Sequence, residues 1–108
     1  MNKKIAEIIN KVTSILKNGL SPKRIILFGS YSRGDYQNSS DLDILLIMPN
    51  GTNRRKTAVE AYKLLGALGI SKDIVVVTEE DVEKYGELPG TVLEPALAEG
   101  KVLYDKAA

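Results

Sequence analysis

Apolar residues recur at helical spacing through Ile5, Ile8, Ile9, Val12, Ile15 and Leu16, which predicts an amphipathic helix from about Lys3 to Asn18. Gly19 reads as its stop, and Ser21-Pro22 opposes continuation. The pattern then changes. Arg24 to Phe28 and Leu42 to Met48 are short apolar runs, the second interrupted only by Asp43, and both read as buried strands. Between them, Gly29 to Ser40 carries two glycines among Ser, Asp and Asn, the composition of a loop. Pro49-Asn50-Gly51 marks a turn. Helical spacing resumes from Thr57 to Leu68 through Ala58, Ala61, Tyr62, Leu65 and Leu68, and the β-branched run Ile74 to Val77 predicts a third strand. Thr78 with Asp81 three residues on reads as a helix N-cap. Pro89-Gly90 breaks the chain. Thr91 with Glu94 opens a last short helix that contains Pro95 and ends at Gly100. Val102 to Tyr104 is either a small terminal strand or a segment packed on the core. Alternating strands and helices predict an α/β or α+β fold: a small mixed β-sheet with helices packed on one face, in one domain spanning 1–108.

The formal net charge is only +1 over 108 residues. That balance argues against stable binding of nucleic acid, or of an anionic membrane, by bulk electrostatics. A small anion can still be held by local geometry. The chain has neither cysteine nor histidine, which removes thiolate chemistry, zinc–thiolate sites, Ser-His-Asp catalysis and imidazole bases. Chemistry must then fall to carboxylates, hydroxyls, Lys, Arg and oxygen-seeking metals such as magnesium. Met1-Asn2-Lys3-Lys4 is basic, but Glu7, Asn10 and Lys11 interrupt the following stretch, so it does not read as a signal peptide. No apolar run reaches transmembrane length. The expected location is the cytoplasm, with no membrane association.

The candidate chemistry centres on Asp41-Leu42-Asp43. Residues two apart in a strand share a face, roughly 6.6 Å apart at about 3.3 Å per residue. Two carboxylates so placed repel unless a cation lies between them. The competing reading makes Asp41 a turn cap and Asp43 a solvent-facing edge residue, although Leu42 and Ile44 to Ile47 suggest a strand buried on both faces. Gly29-Ser30 directly follows the first strand. Glycine there lets backbone N–H groups approach a phosphate, and Ser30 adds a hydroxyl; a simple turn has the same two residues. No G-x-x-x-x-G-K-[ST] pattern is present. Arg33 is either a phosphate contact or a surface ion-pair partner. Asp73 precedes the third strand. It completes a three-carboxylate cluster if that strand lies beside Asp41 and Asp43, and otherwise faces water.

Taken together, Gly29-Ser30, ten intervening residues and Asp41-x-Asp43 among apolar neighbours resemble the signature of the DNA polymerase β-like nucleotidyltransferase superfamily. The fuller stretches Phe28-Gly29-Ser30-Tyr31-Ser32-Arg33-Gly34 and Ser39-Ser40-Asp41-Leu42-Asp43-Ile44-Leu45 resemble its MNT (minimal nucleotidyltransferase) group, and the likeness extends to the closing Glu99-Gly100-Lys101-Val102-Leu103-Tyr104. This resemblance implies the polymerase β-like nucleotidyltransferase fold. It implies two magnesium ions on Asp41 and Asp43, with Asp73 joining one of them, so that these three form the catalytic and metal-binding set. Gly29, Ser30 and Arg33 become the nucleotide-binding residues for ATP or another NTP. Well-known members are antitoxins beside HEPN-domain toxins, where the acceptor is a tyrosine hydroxyl on the toxin. The expected function is therefore transfer of a nucleoside monophosphate, AMP from ATP, to a hydroxyl of a HEPN-family partner.

Two rival readings stand beside it. One is a non-catalytic antitoxin or regulatory binding module that neutralises its partner by complex formation. The other is a plain α/β domain with a structural Asp pair. Larger relatives carry a helical substrate-binding domain with no counterpart in these 108 residues, so acceptor choice is expected to rest on a partner chain, and self-association is compatible with the small core. Arg54-Arg55-Lys56 reads as a solvated loop and Tyr62 as part of a helix core face. Tyr31 is either a ligand contact or loop packing, and Asp35 receives no role.

Overall fold

The computed structural model describes residues 3–37 and 40–108; Ser39 of the second motif stretch lies outside them, as do Met1, Asn2 and Asn38. The chain runs α1 (Lys3–Leu20), β1 (Arg24–Phe28), α2 (Ser30–Arg33), β2 (Leu42–Met48), α3 (Arg54–Leu65) with a 3-10 turn (Gly66–Leu68), β3 (Lys72–Thr78), α4 (Glu79–Tyr85), α5 (Leu93–Glu99) and β4 (Lys101–Asp105). The strands form one mixed sheet in the order β3-β2-β1-β4. β1 pairs antiparallel with β2 and β4, whereas β2 and β3 are parallel. A parallel neighbour needs a long crossover, which α3 supplies.

Ile25, Leu27, Ile44, Leu46 and Met48 face α1 and α3, where Ile9, Val12, Leu16, Ala61 and Leu65 bury against them. The alternate residues Ile26, Leu45 and Ile47 face Leu93 and Ala96 of α5, with Val82 of α4 beside them. The mixed sheet is as expected. The helices, however, cover both faces rather than one, because β2 is apolar on both sides and each side needs a lid. Among the described residues, no helix is long and apolar enough to cross a membrane.

Several boundaries differ from the sequence reading for local physical reasons. α1 passes through Gly19 and ends at Leu20, before Ser21 with φ 51°. Gly19 is passed as an ordinary helical residue, with the Leu64 side chain beside it. β3 starts at Lys72 rather than Ile74, so Asp73 lies within the strand. Pro95 is harmless because it falls in the first turn of α5, where backbone N–H groups have no intrahelical partner. The Thr78–Asp81 pair forms a full capping box. Val102 to Tyr104 belongs to β4.

Candidate active site

Asp43 is held by its strand on two sides. It stands opposite Phe28 of β1 and Asp73 of β3, and it is half-buried in a strand whose other residues are buried. Asp41 lies one residue before β2 and is exposed. Parallel register sets Asp73 beside Asp43, and Asp41, just outside the strand, lies near enough for its charge to act on Asp43. The electrostatics agree with this placement. Burial raises the Asp43 pKa above the ordinary carboxylate value, the negative charges of Asp73 and Asp41 raise it further, and only Arg33 opposes the rise. The three predicted acids are thus one electrostatic cluster at the end of the β2–β3 pair.

Gly29 joins β1 to α2 and sits against this cluster. Its φ of 73° with ψ of −155° suits glycine alone. A Cβ on it would also overlap Asp43 Oδ2 and lie 3.1 Å from Asp43 Cγ. Two independent constraints therefore exclude a side chain. Without one, Gly29 cannot cap α2, and the first turn begins at Ser30 with no side-chain cap. N–H groups at such a turn can meet an anion.

The predicted loop from Gly29 to Ser40 accordingly contains one helical turn. Ser32 Oγ donates to Glu99 O at 2.9 Å, which ties α2 to the end of α5. Arg33 is about half exposed; its Nε lies 3.2 Å from Asp35 Oδ2 and its Nη1 4.0 Å from Glu99 Oε2. The ion-pair reading of Arg33 is met by these contacts, and its positive charge also lowers the Asp43 pKa. Tyr31 stacks on Tyr36 with centroids 4.5 Å apart.

Two side chains that the sequence reading left out of the site touch its acids. Ser71 Oγ donates to Asp41 Oδ1. Tyr62 OH accepts from Ile74 N at 3.0 Å and reaches Asp73 Oδ1 at 3.5 Å. Tyr62 is therefore not a core residue: it is partly exposed and closes the outer edge of β3. The run Arg54-Arg55-Lys56 opens α3 rather than lying in a loop, with Arg54 Nη1 3.0 Å from Asp81 Oδ2. A cavity of about 230 Å³, lined by Ile5, Ile8, Tyr31, Leu42, Ile70 and Ser71 among others, adjoins Asp41 through Ser71.

Among the described residues, no three acidic side chains are drawn together closely enough to form a ready-made metal cage. The donor chemistry nevertheless fits a hard divalent cation. All three groups are oxygen donors, and their mutual repulsion at Asp43 is opposed only by Arg33.

The family model of the nucleotidyltransferase domain matches residues 5–98. The chain belongs to this family. Two Methanocaldococcus jannaschii proteins, each named "Putative protein adenylyltransferase", are similar along most of their length. The first is 36% identical over 103 residues, covering 94% of this chain and 96% of the relative. The second is 35% identical over 92 residues, covering 76% and 91%. Among solved structures, a toxin–antitoxin crystal structure with AMP-PNP contains a chain 29% identical with a TM-score of 0.66, covering 90% of this chain and 73% of that one. A structure described as tri-AMPylated Shewanella oneidensis HEPN toxin in complex with MNT antitoxin matches with 27% identity and a TM-score of 0.61, covering 94% and 73%. This nucleotidyltransferase therefore has the polymerase β-like fold, and its similarity to MNT antitoxin structures agrees with the motif it carries.

Proposed function

We propose that this nucleotidyltransferase transfers AMP from ATP, with magnesium, to a hydroxyl of a partner protein, and that it acts as the antitoxin of a HEPN-family toxin. The observation that carries the reading is the packing of the Gly29 backbone against Asp43, whose carboxylate feels the charges of Asp73 and Asp41. Support for the adenylyl group and the protein acceptor comes from relatives that each bear the name "Putative protein adenylyltransferase" and from neighbours described as an AMP-PNP complex and an AMPylated toxin complex.

Asp41 and Asp43 would hold magnesium, with Asp73 joining them. Bound there, magnesium supplies Lewis acidity at the α-phosphate and offsets charge on the departing pyrophosphate. The bare backbone of Gly29 lets the triphosphate lie close to the acids, and the Ser30 hydroxyl donates to a phosphate oxygen. Arg33 adds positive charge on the same flank. On the opposite flank, Asp73 takes the proton of the acceptor hydroxyl. The acceptor oxygen then bonds to the α-phosphorus, the α–β bridging bond breaks, and pyrophosphate leaves with the electron pair.

Incubation with labelled ATP, magnesium and the protein encoded by the adjacent gene tests this. Label reaches that protein with the wild type. Asp41→Ala and Asp43→Ala each reduce transfer by more than about a hundredfold, since losing even a partner of a metal ligand costs about 10–100-fold. Neutralisation of the partner that survives both substitutions, with no label transferred, contradicts the proposal and favours a binding module.

A further inference from the structure

Asp41 occupies a weaker position than Asp43. The β2–β3 ladder pairs begin at Leu42 and Lys72, so Asp41 lies one residue beyond the register that fixes its neighbour. A carboxylate just outside a strand has rotamer freedom, and an exposed one loses entropy when a cation orders it. Something must hold it beside Asp43 if the pair is to act together.

Ser71, the residue that precedes the neighbouring strand β3, meets that need. Leu42 N donates to Ser71 O at 3.0 Å, which sets the Ser71 backbone against the residue following Asp41. From there Ser71 Oγ donates to Asp41 Oδ1. A backbone bond and a side-chain bond thus clamp the entry of β2 to the entry of β3. The hydroxyl engages one carboxylate oxygen and leaves Asp41 Oδ2 for a ligand. Ser71 also precedes Asp73 by only two residues, at the entry of β3. A single short segment therefore carries one of the three acids and orients another.

We propose that Ser71 is a positioning residue: its hydroxyl holds Asp41 in the orientation that lets Asp41 and Asp43 share a divalent cation. This deepens the function proposed above and rests on it. Asp41 is pre-ordered before the cation arrives, so affinity for the metal depends on a side chain that does not touch it. Threonine keeps the hydroxyl on a β-branched frame suited to a strand entry, and alanine removes only the donor.

The test is Mn²⁺ binding by electron paramagnetic resonance with the full chain, in the presence of a non-hydrolysable ATP analogue, for wild type, Ser71→Ala and Ser71→Thr. The expected result is a Kd for Mn²⁺ raised on the order of tenfold in Ser71→Ala and within about threefold of wild type in Ser71→Thr. AMP transfer in Ser71→Ala should recover as magnesium is raised, with little change in the maximal rate. Ser71 is exposed, so circular dichroism should show all three proteins folded. Wild-type affinity in Ser71→Ala overturns the inference while leaving the function intact, and so does an equal loss in Ser71→Thr. Failure of the wild type itself to bind Mn²⁺ overturns both.

Discussion

Gly29 and Asp43 constrain each other, and each predicts a distinct response to substitution. At Gly29, alanine must accept a left-handed φ and push into the Asp43 carboxylate. The backbone strain alone is about 1–3 kcal/mol. Gly29→Ala is expected to lower Tm and to weaken ATP binding together, as differential scanning calorimetry and nucleotide titration would show; a variant with unchanged Tm contradicts the contact. Asp43 behaves in the opposite sense. Burial and the neighbouring acids raise its folded pKa, so ionisation costs the folded state more than the unfolded one. The contribution of this group is full below the unfolded pKa of about 4 and is lost as pH rises through the folded pKa. Asp43→Asn should therefore stabilise the metal-free protein at neutral pH, and the gain should vanish in acid. Magnesium with nucleotide should raise the wild-type Tm and leave that of Asp43→Asn almost unmoved. The Asp pair and the Gly-Ser step were legible as residue types at a fixed spacing. Ser71 was not, because a lone serine signals nothing until the β2–β3 register sets it beside Asp41.

The long elements were readable because their patterns are continuous. β1 and β2 match their apolar runs residue for residue. β3 starts two residues before its apolar run because its first residues, Lys72 and Asp73, are polar, and apolar patterning does not register polar strand positions. α2 is a single turn, too short for any period to show. The α4 start was visible in its capping chemistry, and there the energetics can be checked. Thr78 Oγ1 accepts from Asp81 N at 3.2 Å, and Asp81 Oδ2 accepts from Thr78 N at 2.9 Å. Thr78→Ala should cost about 1 kcal/mol, a fall in Tm of about 4–8 °C, measurable by thermal denaturation. The bond from the Thr78 backbone N–H is the main cause that holds the Asp81 pKa below its usual value. This stabilisation is present above the unfolded pKa and is lost as pH falls through the folded one. The deficit of Asp81→Ala should accordingly be largest at neutral pH and fade in acid.

For the whole molecule, alternation of strands and helices gave the fold class, but strand order depends on which edges meet. The parallel β2–β3 pair is the arrangement that sets Asp73 opposite Asp43, whereas the antiparallel β1–β2 pair delivers Gly29 to the same end of the sheet. Neither adjacency follows from local pattern. Helix placement on both faces follows from β2, since a central strand buried on both sides leaves no face for water. The fold thus brings a bare backbone bend from one neighbouring strand and an acid from the other to the Asp41–Asp43 pair. A crystal structure with Mn²⁺ and a non-hydrolysable ATP analogue, read by anomalous scattering, tests that convergence most directly. Metal signal against Asp41 and Asp43, with the triphosphate at Gly29-Ser30, is the predicted result; nucleotide and metal bound away from these four residues would contradict it.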